Sequence, residues 1–368
     1  QGHQWAISKH PDQVDEYCCS CYRTKPYNLR IVVNRASITL KNNIAVGRNM
    51  RAYLLSLLMV TVCLTGCISD DATSESGIGD TTEDELVLPE WQIGEQWLYT
   101  FITPEFGEDS ARLVVADIRD DDGLYMLGIS SEAEAQRHAV INHNPFLGRV
   151  TMDGLSVYEN GDPQQVFNFP WEIGNTWQFR LLGQDWSAKT DNIYNGEVTV
   201  SATSSEGHSL SYVFSGREGF IKSVLWTDNE GVDNLQMTLV QKKTGYSGDV
   251  FFYRAGDLHD NLYEENDQEI YDSFFDEGYS SNEAWDTLVW YLDVEIDDKG
   301  GSGTLTISDQ QDGTSPLSRA WGNGATEKGS FGTIPSKTGE HRITLTLQGD
   351  TSYVHLKVAG ALVRSWTL

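Results

Sequence analysis

After residue 88 the chain is dominated by short runs in which apolar and polar positions alternate, the period-two signature of half-buried strands. Trp97, Tyr99 and Phe101 share one face of the first such run, and Trp177, Phe179 and Leu181 share one face of a later run. Further strands are predicted over Leu113–Ile118, Leu124–Ile129, Val198–Ala202, Leu210–Phe214, Ile221–Trp226 and Leu235–Val240. Turn sequences separate them, among them Asp120-Asp-Asp-Gly123, Asn195-Gly196 and Asn229-Glu-Gly231, as antiparallel hairpins require. Nearer the C-terminus Leu288, Trp290, Leu292, Val294 and Ile296 hold strict period two. So do Leu305 and Ile307, then Ile343, Leu345 and Leu347, then Val354, Leu356 and Val358. Between these two regions Asp257 to Tyr279 carries nine acids among scattered apolar residues. That stretch predicts either a short helix near Glu269–Phe275 or an irregular acidic loop.

One motif occurs twice. Trp91-Gln-Ile93-Gly94-Glu-Gln-Trp97-Leu-Tyr99 matches Trp171-Glu-Ile173-Gly174-Asn-Thr-Trp177-Gln-Phe179 at an offset of 80, each copy with a nearby preceding proline (Pro89, Pro170). Two coincident tryptophan pairs together with Ile and Gly point to an internal repeat, with a tight turn at each Gly that favours positive φ. The expected fold class is therefore all-β. An antiparallel meander of two repeats (88–167 and 168–245, together 88–245) leads through an acidic connecting segment (246–283) to a C-terminal β-sandwich (284–368).

Composition sharpens this. The chain has 26 Lys and Arg against 54 Asp and Glu; 8 and 3 of these precede Cys67, so the remaining 302 residues carry 18 and 51, a net charge of −33. Nucleic acid, whose phosphates require basic patches, is excluded as a partner, and electrostatic adsorption to anionic lipid is disfavoured. No cysteine follows Cys67, so the downstream chain holds no internal disulfide and must rely on its core.

The N-terminal portion has a different character. Met50 to Cys67 reads MRAYLLSLLMVTVCLTGC, a basic residue, an apolar run and small residues before a cysteine. These are the parts of a secretory signal. Leu64-Thr65-Gly66-Cys67 resembles the lipobox of bacterial and archaeal lipoproteins. That resemblance implies a signal peptide over 50–66, cleavage before Cys67, lipid attachment to its thiol, and an extracytoplasmic protein anchored to the cell membrane or outer membrane. An uncleaved signal anchor is the alternative, at the short limit for a bilayer span. Residues 1–49, basic and containing Cys18, Cys19 and Cys21, are expected to be a disordered, non-native upstream extension. Residues 67–87 hold the acidic run from Ile68 to Leu86, with seven acids and no base, and are expected to form a flexible tether.

Two looser resemblances follow from the motifs above. The W-x-I-G-x-x-W-x-aromatic pattern is similar to one in uncharacterised prokaryotic surface lipoproteins, and the meander resembles the curved half-barrel of LolA/LolB-like lipoprotein carriers. That likeness implies a concave face with Trp97, Tyr99, Trp177 and Phe179 as candidate residues for a hydrophobic ligand; packed core is the alternative for aromatics on alternating strands. The C-terminal order of Gly-rich turn, Thr-Leu-Thr-Ile strand, Asp-x-x-Asp-Gly turn and Gly-Glu-His-Arg-Ile-Thr-Leu strand resembles jelly-roll modules of secreted prokaryotic proteins.

Catalytic chemistry is not indicated. Gly245-Tyr-Ser247-Gly248 is one residue short of a nucleophile elbow, and no HExxH, Walker A or strand-borne GxGxxG occurs. His138 and His143 are five apart, which puts them on opposite faces of a strand, a poor metal pair. His355 lies opposite the apolar face of its strand, toward solvent. Asp297 and Asp298, and separately Asp309 and Asp312, sit on loops that could supply some oxygens of a structural calcium site. No other cofactor is expected. A glycosidase carboxylate pair, whose spacing is spatial, has no sequence signature. The chain reads as a non-enzymatic, membrane-anchored binding or scaffold module for a protein, glycan or hydrophobic partner; the alternatives are a structural or adhesive surface protein with a calcium-supported sandwich domain, and an unrecognised glycan hydrolase.

Overall fold

A computed structural model describes residues 86–141, 143–264, 268–279 and 283–368. Cys67, the signal-like stretch, the upstream extension and the tether through 85 lie outside the described residues. No helix among the described residues is long and apolar enough to cross a membrane.

The described residues are nearly all antiparallel strand, with one helix among them. The span expected as the first repeat contributes β1 (Gln96–Thr103), β2 (Gly107–Arg119), β3 (Leu124–Ile129), the helix α1 (Glu132–Ile141), and three short strands, β4 (Gly148–Thr151), β5 (Val157–Glu159) and β6 (Asp162–Gln164). The second is a six-stranded meander: β7 (Thr176–Leu181), β8 (Gln184–Tyr194), β9 (Glu197–Ser204), β10 (Ser209–Ser215), β11 (Phe220–Thr227) and β12 (Asp233–Lys243). In space the order is β3-β2-β1-β12-β11-β10-β9-β8-β7, so the last strand of the second repeat closes onto the first strand of the first.

The duplicated motif has duplicated geometry. Gly94 N donates to Val115 O at 2.9 Å and Val115 N to Glu95 O at 2.9 Å; Gly174 N donates to Thr190 O at 2.8 Å and Thr190 N to Asn175 O at 3.0 Å. Both glycines sit at positive φ, 81° and 87°. The following strand pair bulges immediately after Val115 in one copy and after Thr190 in the other. Both leading tryptophans, Trp91 and Trp171, are buried, while Ile93 and Ile173 of the same motif are exposed.

The aromatic face of this sheet is covered by the chain itself. Trp97, Tyr99, Phe101, Phe179 and Leu181 pack in one cluster with Phe146, Val150, Leu155, Val157, Val166 and Phe167, which come from the segment between α1 and β7. Phe220 lies at the centre, with ring centroids 4.9 Å from Trp91, 5.2 Å from Trp97, 5.5 Å from Phe146 and 6.1 Å from Phe167.

The remaining strands are β13 (Asp249–Tyr263), β14 (Gln268–Asp276), β15 (Thr287–Glu295), β16 (Ser302–Asp309), β17 (Leu317–Trp321), β18 (Thr326–Pro335), β19 (Gly339–Gln348) and β20 (Tyr353–Thr367). They pair in two sets, β18-β15-β20-β13 and β14-β19-β16-β17, the strand order of an eight-stranded jelly roll. The period-two residues from Leu288 through Val358 fill the core between them. The acidic stretch expected as a helix or irregular loop is instead made largely of β13 and β14. Its acids are accommodated because they find partners: Asp260 meets Lys357 at 3.0 Å and His355 at 2.8 Å, and Asp272 accepts from Tyr263 Oη at 2.9 Å. Helix α1 packs against strands of both parts, and Tyr253 of β13 donates to Glu132 Oε1 at 2.9 Å.

Candidate functional site

Helix α1 begins where Ser131 accepts Glu134 N through its Oγ at 3.4 Å, and Ser131-x-x-Glu134 spells a capping box. Glu132 and Glu134 lie in the first turn and His138 in the last, the charge order that the helix dipole favours. Ala135, His138 and Ala139, spaced i, i+3 and i+4, face the protein interior. His138 and His143 therefore do not alternate across a strand, and the inference that they point apart is corrected. Their imidazole centroids are 4.4 Å apart, and Phe101 packs edge-on against both at 5.0 Å.

Asp109 joins them from β2. It stands directly opposite Phe101 in the β1–β2 ladder and so shares that residue's inward face. Asp109, His138 and His143 each offer a ligand atom, all within 4.8 Å of one another. His138 is 2% exposed and His143 7%. Arg137 Nε lies 3.2 Å and His138 Nε2 3.5 Å from Asp109 Oδ2, and Arg137 also donates to Phe106 O at 3.3 Å. The contacts to Asp109 are close yet poorly aligned. Asp109 Oδ2, Arg137 Nε, both ring nitrogens of His138 and of His143, and Asn144 Nδ2 are buried and make no hydrogen bond among the described residues. Such clustering is unusual, because buried polar atoms are normally paired. Burial first, then the charges of His143 and Arg137, holds the His138 pKa well below the ordinary histidine value; burial and then Arg137 lower that of His143 to about 3. Both rings are neutral near pH 7, the state that ligates metals.

The four residues proposed to line a ligand face are placed differently. Trp97 and Tyr99 are fully buried, Phe179 is 5% exposed and Trp177 is half-buried, all packed in or against the core. This corrects their reading as a ligand surface: the segment from α1 to β7 occupies the space in front of them. In the first repeat Trp91 donates to Gly219 O at 3.0 Å and Trp97 to Glu218 O at 2.9 Å, whereas Trp171 Nε1 and Trp177 Nε1 lack a hydrogen-bond partner among the described residues.

The calcium candidates form two separate groups at opposite ends of β16. Asp297 accepts Lys299 N at 2.8 Å, and that N–H is the leading cause holding its carboxyl below the usual range; Asp298 is exposed. Asp309, nearly buried, and Asp312 converge on Lys337 Nζ at 3.2 and 2.5 Å. An ammonium thus stands where a calcium ion would have to sit, and Thr314 N and Oγ1 occupy the other oxygen of Asp312. The Lys337→Met variant is expected to lower the urea midpoint of unfolding by leaving Asp309 buried without its counter-charge, with no recovery on adding calcium; recovery would restore the calcium reading.

His355 is only half-buried rather than solvent-facing, 2.8 Å from Asp260 and 3.6 Å from Glu105. His259 Nε2 lies 2.9 Å from Tyr263 Oη, which donates to Asp272. Burial outweighs Asp272 and Asp260 and lowers the His259 pKa. A histidine kept neutral in the folded state while the unfolded chain takes up a proton costs stability as pH falls below about 6.5. The His259→Gln variant is accordingly expected to lose stability less steeply on acidification, measured as the urea midpoint between neutral and mildly acidic pH; an unchanged slope would count against this assignment.

No protein-family model matches the chain, and no curated protein matches it. Among solved structures, an exo-β-1,3-galactanase from Phanerochaete chrysosporium with galactose is 9% identical, with 72% of this chain and 68% of that chain covered at a TM-score of 0.16. A structure of infectious bursal disease virus, Gx strain, is 10% identical, with 75% and 69% covered at a TM-score of 0.17. At such scores the likeness carries no argument about fold or activity.

Proposed function

We propose that this chain is a lipid-anchored extracytoplasmic protein that works as a non-enzymatic scaffold or partner-binding module outside the membrane. The anchor rests on the signal-like stretch ending in Leu64-Thr65-Gly66-Cys67. The observation that carries the scaffold reading is the self-filled interior: Phe146 and Phe167 pack edge-on against Phe220 on the aromatic face of the meander, where a carried ligand would have to sit. A protein that fills its own sheet in this way presents surfaces rather than a cavity. The net charge of −33 over the residues from Cys67 onward favours solubility and disfavours direct adsorption to anionic lipid, so a covalent lipid supplies the membrane attachment.

Metabolic labelling with a clickable fatty acid in a prokaryotic host tests the anchor. The wild-type chain is expected to carry the label and fractionate with membranes, and Cys67→Ser to lose both properties. Label retained by Cys67→Ser, or wild-type protein carrying no lipid by intact mass, would overturn it.

A further inference from the structure

We propose that Asp109, His138 and His143 bind one first-row divalent transition-metal ion, zinc by their donor set, as a buried structural clamp. The argument starts from the unpaired atoms. Seven buried side-chain nitrogen and oxygen atoms on Asp109, Arg137, His138, His143 and Asn144 make no hydrogen bond among the described residues. An ion held by one nitrogen of each imidazole and an oxygen of Asp109 would satisfy three of them at once and orient the rest. Two neutral imidazoles and a carboxylate suit zinc and its neighbours in the transition series. The nitrogen donors disfavour calcium and magnesium, which prefer oxygen.

Geometry agrees. Ligand atoms at about 2.0–2.2 Å from zinc stand roughly 3–4 Å from one another. The three candidate atoms already lie within 4.8 Å, so closure needs a shift of about 1 Å, within reach of side-chain rotation. Charge acts in both directions. Arg137, 3.2 Å from Asp109, opposes a cation. The carboxylate of Asp109 and the C-terminal end of α1, whose last turn carries His138, favour one.

Position assigns the role. Phe101 seals both rings edge-on and His138 is 2% exposed, so substrate has no access and a structural ion fits better than a catalytic one. The ligands tie the start of β2 to the end of α1 and to the first residues of the segment that covers the aromatic face. The ion would therefore pin the covering segment to the sheet it fills.

The test uses the full chain, stripped with a chelator and titrated with Co(II), then Zn(II). One equivalent of Co(II) is expected to produce the visible d–d bands of a low-coordinate site, Zn(II) to displace them, and Zn(II) to raise the melting temperature. His138→Gln, His143→Gln and Asp109→Asn should weaken Co(II) binding by about tenfold or more while retaining the far-ultraviolet circular dichroism of the wild type; His259→Gln should bind as the wild type does. X-ray absorption of the zinc-loaded wild-type chain, which needs no variant to fold, should show a nitrogen and oxygen shell with imidazole scattering from two histidines. Absence of Co(II) bands in the wild type, bands that survive in folded His138→Gln and His143→Gln, or a sulfur shell pointing to the upstream cysteines would each overturn the proposal.

Discussion

Replacing Phe220 with alanine is expected to remove about 3–5 kcal/mol of folding stability, the scale observed when a buried phenylalanine is truncated to alanine. The position warrants the upper part of that range. Phe220 is fully buried and its ring meets Trp91, Trp97, Phe146 and Phe167, with Tyr99 slightly farther at 6.5 Å. Trp91, Trp97 and Tyr99 come from the first motif and β1, Phe146 and Phe167 from the segment between α1 and β7, and Phe220 from β11, so the void would lie where three parts of the chain converge. Large rigid aromatics around a void collapse poorly, which keeps the cavity cost high. Against a typical stability of about 5–15 kcal/mol, the loss should appear as a large fall in the urea midpoint. Tyr194→Ala, at a side chain 69% exposed, is expected to stay within about 0.5 kcal/mol of the wild type. Equal effects from the two variants would refute this account of the core.

The two motif glycines are expected to respond unequally to alanine. Both lie at positive φ, where an L side chain costs about 1–2 kcal/mol, and this part of the penalty is common to Gly94→Ala and Gly174→Ala. The surroundings differ. A Cβ on Gly94 would stand 2.9 Å from Tyr246 O and 3.1 Å from Tyr246 N, both main-chain atoms, whereas one on Gly174 would meet nothing within 4 Å. Tyr246 also donates its N–H to Gly94 O at 2.9 Å, so relieving the collision would strain or break that bond. Overpacking of this kind typically adds about 1–3 kcal/mol, and Gly94→Ala should exceed Gly174→Ala by that margin in paired urea titrations. Indistinguishable losses would mean that the two repeats are equivalent in energy as well as in backbone geometry.

These expectations separate what the residue pattern conveys from what it hides. Alternation along Val198–Ala202 or through Leu288, Trp290, Leu292, Val294 and Ile296 identified strands and their inner faces, because side-chain direction in a strand is a local property of period two. Helix α1 escaped the pattern because its apolar face is made of Ala135, Ala139 and a histidine rather than a row of large residues. Its one legible sign was the Ser131…Glu134 capping pair. Treating its surroundings as extended chain put His138 and His143 on opposite faces and concealed the candidate metal centre. Asp109 had no sequence signal, since its relation to the histidines runs through its pairing with Phe101. At Asp309 and Asp312 the calcium reading meets a similar obstacle. Asp309 and Asp312 are neighbours in sequence, but the lysine that neutralises them, Lys337, arrives from the turn between β18 and β19.

By itself the sequence determined the all-β class, the inner faces of most strands and the two-copy motif, including the paired turns at Gly94 and Gly174. All of these depend on residues within a few positions of one another. Tertiary structure alone decided that β12 closes onto β1, that β13 and β14 belong to the jelly roll, that the aromatic face is filled from within, and that Asp109 meets two histidines beneath Phe101. Each of these joins residues distant along the chain. Which partner occupies a given face is settled by competition among all the surfaces the chain must bury together, and no local pattern records the outcome.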